Sequence, residues 1–145
     1  MSGILVIAYG NPLRCDDGLA WHAAEKLSQL NLSNVEIITC HQLTPELAVP
    51  LSQAAAVFFI DAARVGVPGE LACGPLKPQL LSGIFTHECS PASLLGLAQE
   101  LYGRCAPAFT ISVCGECFDH GETLSAKVEE SLPRVVAIVS DFAND

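Results

Sequence analysis

Basic residues are scarce in this chain: seven Lys and Arg stand against sixteen Asp and Glu among 145 residues, a formal charge of −9. Nucleic acid and anionic membrane are therefore poor partners, because binding phosphate needs a basic footprint that is missing here. Long apolar runs are also missing, although half of the residues are hydrophobic. The longest runs, LVIA, AAAVFFI and VVAIV, fall far short of the ~20 residues needed to span a bilayer. No basic segment followed by an apolar stretch and a cleavage site opens the sequence, so the expectation is a cytoplasmic protein. Two catalytic signatures are absent as well. Without GxSxG there is no nucleophile elbow, and without GxGxxG there is no dinucleotide fingerprint.

Cysteine, by contrast, is plentiful, at positions 15, 40, 73, 89, 105, 114 and 117. An odd count without a secretion signal argues for reduced thiols. Cys114 and Cys117 form a lone CxxC, and a structural zinc there would need two more ligands from distant parts of the chain. Small buried or loop thiols are the simpler reading.

The length is that of one domain, residues 1–145, long enough to bury a core. GILVIAY (3–9) is a continuous branched apolar run, as expected of a strand buried on both faces. Leu19, Ala20, Ala23, Ala24, Leu27 and Leu30 recur at helical spacing and predict a helix over 18–30. Strands are expected at 35–40 and 55–61, the second ending in Asp61, with an edge strand at ELACGPL. Thr44 and Pro45 open a short helix that Pro50 bends or ends. Residues 77–90 read as loop. A helix then starts at Pro91 and stops at Gly103, AFTISVC (108–114) is the last strand, and a final helix over about 123–142 is expected to kink at Pro133. Alternating strands and helices imply an α/β three-layer sandwich: a mostly parallel twisted sheet of about five strands, with helices on both faces.

In such sheets, sites form beyond the carboxyl ends of the strands, where strand order reverses. Asp16 and Asp17 follow the first strand and Asp61 ends the third, so these acids meet if the two strands flank that point. His87, in THECSP just before a helix, is the imidazole best placed to join them; His22, His41 and His120 compete with it. Two carboxylates and one imidazole leave coordination positions open, which suits a divalent transition metal with exchangeable ligands. The simpler readings are that Asp16 caps the first helix, Asp61 caps a strand end and His87 is an ordinary loop histidine.

ILVIAYGNPLRCDDG, VFFIDAARVGVPGEL, THECSPASLLGLAQELYG and GECFDHGETLSAKVEESLPRVV together resemble the hydrogenase maturation proteases over nearly the whole chain. The resemblance implies an endopeptidase that removes a C-terminal extension from the large-subunit precursor of a nickel–iron hydrogenase after nickel insertion. It further implies Asp17, Asp61 and His87 as catalytic residues and as the ligands that recognise the metal. The nickel belongs to the precursor, and zinc or cadmium is expected to substitute for it in vitro. A monomer is the default expectation. Ala8 replaces the first Gly of the family's G-x-G-N, and TCHQLTPEL (39–47) replaces an Asp-Gly-Gly-Thr-type segment. The second departure motivates the alternative reading, a non-catalytic, metal-gated binding module of the same fold.

Overall fold

The structure is a computed structural model that describes residues 3–79 and 89–145. Five strands, β1 (Ile4–Tyr9), β2 (Val35–Cys40), β3 (Ala56–Ala63), β4 (Leu71–Leu76) and β5 (Ala108–Cys114), form one sheet in the order β2-β1-β3-β5-β4. All neighbours run parallel except β4, which pairs antiparallel with β5 at the edge. An edge is the place that tolerates Pro75 within a strand.

Side-chain alternation divides the core. Ile4, Val6 and Ala8 of β1 and Ala56, Phe58 and Ile60 of β3 face helices α1 (Leu19–Gln29) and α4 (Ala126–Ala143). Leu5, Ile7, Val57 and Phe59 face the opposite layer, α2 (Ala48–Gln53) and α3 (Pro91–Tyr102). Because β1 and β3 are buried on both faces, their sequences show unbroken apolar runs instead of alternation. The expected three-layer sandwich is the observed one.

Several local readings need correction. Leu30 follows α1 and is exposed, so the buried stripe ends at Leu27. Thr44 has the extended backbone of a cap, but its side chain makes no cap hydrogen bond; one 3-10 turn over Pro45–Leu47 leads into α2. α4 runs from Ala126 to Ala143 through Pro133 and buries Val128, Leu132, Val135 and Val139. β3 extends past Asp61 to Ala63, so Asp61 lies inside the strand and does not cap its end. α3 matches its reading: Ser90 and Ser93 form a reciprocal capping box before Pro91, and Gly103 ends the helix at φ 74°. Among the described residues, no helix is long and apolar enough to cross a membrane.

Candidate functional site

The strand order reverses between β1 and β3, since β1 leads outward to β2 and β3 leads the other way toward β5. At the carboxyl end of that pair lies a cavity of about 530 Å3 lined by Tyr9, Gly10, Asp17, His41, Asp61 and Cys89, among others. A larger cavity of about 660 Å3 lies by Gly3, Asn34 and Gln53, and among the described residues Glu36 is its only ionisable lining residue. The chemistry-bearing side chains gather in the first.

Period-two alternation explains how Asp61 reaches the cavity. It continues the Val57–Phe59 side of β3, one step past the point where apolar packing ends. Tyr9 continues the Leu5–Ile7 side of β1 in the same way, and its hydroxyl donates to Asp61 Oδ2 at 3.2 Å. Burial pushes the Asp61 carboxyl above its ordinary value, and the negative charge of Asp17 adds to this. Hydrogen bonds from Ser112, its register partner on β5, and from Tyr9 act in the opposite direction. Tyr9 itself is raised by burial and by Asp61, so it stays a protonated donor.

Asp17 arrives by a different route. The chain leaves β1 at Gly10, and the Asn11 backbone N–H donates to Asp17 Oδ2 at 2.8 Å. Gly10 sits at φ 142°, where a side chain is strained, and an added Cβ would collide with the Asp17 carbonyl oxygen. Gly10→Ala should therefore cost about 1–3 kcal/mol and displace Asp17. Urea unfolding measures the first effect; an unchanged midpoint would remove the need for glycine here.

Asp16 does not cap α1. Gly18 occupies that position, with no side-chain cap bond. Asp16 is fully buried and points instead into the loop between β5 and α4. Its Oδ2 accepts from the backbone N–H of Glu116 (2.7 Å) and Cys117 (3.0 Å) and from the Ser125 hydroxyl (2.8 Å). Its Oδ1 accepts from the Ser125 backbone N–H at 2.8 Å. Burial pushes this carboxyl up, but the hydrogen bonds from Ser125, Glu116 and Cys117 outweigh it and hold the group below its ordinary range. The two adjacent aspartates thus have opposite duties: Asp17 faces the cavity and Asp16 clamps the loop behind it.

Of the competing histidines, His41 lines the cavity, its ring edge-on to Trp21 at 5.6 Å between centroids. His22 lines a neighbouring cavity with Pro12 and Trp21, and His120 is exposed on the β5–α4 loop. His87 lies outside the described residues. Among those that are described, no three His, Cys, Asp or Glu side chains stand together as a metal group, at the CxxC or elsewhere. The buried Cys114 thiol turns to the Gly115 carbonyl and toward Gly66, so the zinc staple at this pair finds no support. Tyr9, Ser112 and Cys89 were not singled out by the sequence reading. Parallel register places Ala8 opposite Ile60 and hence Tyr9 beside Asp61. Cys89 is raised by burial and by the charge of Glu46, which disfavours a resting thiolate nucleophile in the cavity.

No protein-family model and no curated protein matches this chain in sequence. Its fold, however, matches solved structures along almost its full length. It is similar to the NiFe hydrogenase maturation protease HycI from Thermococcus kodakarensis KOD1, with a TM-score of 0.78 and 20% identity over 99% of this chain and 94% of that one. It is similar to the HybD maturation protease from Thermococcus kodakarensis, with a TM-score of 0.74 and 23% identity over 97% and 99%. The hydrogenase maturating endopeptidase HybD from E. coli gives a TM-score of 0.71 and 23% identity over 94% and 89%. The fold is that of the hydrogenase maturation proteases.

Proposed function

We propose that this chain is an endopeptidase that removes the C-terminal extension of a nickel–iron hydrogenase large-subunit precursor once nickel is in place. The observation that carries the reading is the meeting of Asp17 and Asp61 in one cavity at the β1/β3 switch point. The solved structures that share this fold include hydrogenase maturation proteases, which supports the same reading.

The donor set suits a divalent cation carried in by the substrate. Asp17 keeps Oδ1 free of the Asn11 bond, and Asp61 is steered by Tyr9 and Ser112. Two close carboxylates in a partly buried cleft repel one another, and a cation relieves that repulsion. The resemblance supplies His87 as the third ligand. A nickel ion held there adds Lewis acidity toward a nearby carbonyl or water. The protein's own residues present the oxygens and hold them at fixed positions. Cytoplasmic location and a monomeric state belong to the same proposal.

The test is incubation with nickel-loaded and nickel-free precursor, read by the mass of the large subunit. Shortening of the nickel-loaded form alone is expected. An intact subunit held in a stable complex would favour the binding-module reading, and neither cleavage nor complex would overturn both. A second expectation concerns the metal itself. After chelator treatment, nickel, zinc or cadmium ions should raise the melting temperature by mass action, and His87→Ala should blunt that rise. Equal shifts in wild type and variant would remove His87 and direct attention to His41.

A further inference from the structure

The loop that carries Asp17 is stitched to the β5–α4 loop by backbone bonds on either side of a cysteine pair. Cys15 N–H donates to the Gly121 carbonyl at 2.8 Å, Gly121 N–H to the Leu13 carbonyl at 2.9 Å, and Asp16 N–H to the Cys117 carbonyl at 3.0 Å. The Cα atoms of Cys15 and Cys117 each lie two bonds from that last contact. This brings them close to the separation a disulfide spans, about 4.4–6.8 Å. Both thiols are free and partly open to solvent, and the Cys117 thiol donates to Asp119 Oδ2 at 3.8 Å. Cys15 has φ 46°, a conformation uncommon for a residue with a side chain. The Cys15 thiol also packs where a Cβ on Gly121 would stand, 3.0 Å away. Cys114, the other half of the CxxC, is buried and turned elsewhere.

We propose that Cys15 and Cys117 form a reversible disulfide that ties the loop bearing Asp17 covalently to the β5–α4 loop. The oxidant is a low-molecular-weight disulfide. One protein thiolate attacks it, forming a mixed disulfide and releasing one small thiol. The second protein thiolate then attacks the protein sulfur of that mixed disulfide and expels the other small thiol. Two protein S–H bonds are lost and one S–S bond forms; the small disulfide gains both electrons and both protons as two thiols. The bond closes a loop of about 100 residues, for which the loss of unfolded-chain entropy is large. The proposal stands on the contact between the two loops and holds whether or not the chain is a peptidase.

The test uses the full chain with oxidised glutathione at pH about 8, where thiol exchange is fast. Free thiols are then blocked and the protein is digested with trypsin. Cleavage after Arg14 and Lys26 leaves Cys15 as the sole cysteine of its peptide, while Cys105, Cys114 and Cys117 share another. The expected product is these two peptides joined, with fragmentation locating the bond at Cys117. Oxidation should raise the melting temperature by roughly 5–10 °C, and dithiothreitol should reverse it. Cys114→Ser should keep both effects, whereas Cys117→Ser should lose both. A Cys15 that stays free, bonds to a different cysteine or stops at the glutathione adduct overturns the proposal.

Discussion

Asp16→Ala should destabilise the protein by about 3–5 kcal/mol, several times the ~1 kcal/mol of a lost helix cap. The carboxylate is fully buried and receives four hydrogen bonds, three from backbone N–H groups and one from a hydroxyl. Truncation removes the acceptor those donors share, and each unsatisfied donor costs about 1–3 kcal/mol before relaxation. Gly115 underlines how tightly the site is built: a Cβ there would stand 3.0 Å from the Asp16 Cβ. Equilibrium urea unfolding of wild type and variant is the measurement; a loss below ~1 kcal/mol would reduce Asp16 to a surface cap.

Acid provides a second reading of the same carboxylate. Its folded value lies below the unfolded one, near 3.9, because hydrogen bonds to the ionised form outweigh burial. The stabilisation is therefore complete above about pH 4 and is lost as pH falls through the lower folded value. Asp16→Asn, which keeps the volume but turns an amide NH2 toward donors, should be far less stable than wild type at pH 7. The gap between the two should narrow below about pH 4.

The double aspartate shows where sequence reading reaches its limit. Strand identity, the switch point and the convergence of Asp17 with Asp61 were legible because they follow from apolar runs and right-handed parallel connections. The role of Asp16 was not. Its partners lie at 116, 117 and 125, a hundred residues away, and backbone N–H groups leave no mark on side-chain pattern. Two local rules were also overridden. Leu30 fits the α1 stripe by spacing, but the helix ends at Gln29 and Leu30 is exposed. Asp61 resembles a strand terminator, yet β3 continues because β5 pairs with it through Cys114. Ser112 and Tyr9 became visible as partners of Asp61 only once register was known.

Asp61→Asn and Asp17→Asn should each reduce precursor processing by at least about 100-fold, the scale on which losing a metal-site interaction acts. Each should also abolish the metal-induced rise in melting temperature. Asp61→Asn separates function from stability further. At pH 7 the ionised Asp61 is held in a partly buried site facing Asp17, and both features raise its pKa. A neutral amide removes that strain while its carbonyl oxygen still accepts from Tyr9. The metal-free variant should therefore be more stable than wild type by about 0.5–2 kcal/mol, the gain common when a functional compromise is relieved. The sign of its pH dependence is opposite to that of Asp16. A carboxyl raised in the folded state favours folding more as pH falls through that value, so the variant's advantage should vanish on acidification. Parallel melting curves at pH 7 and at pH about 4, with and without nickel, read all of this. Processing at the wild-type rate in both variants would remove the two acids from the active site, and a pH-independent loss of stability in Asp61→Asn would make that carboxylate structural.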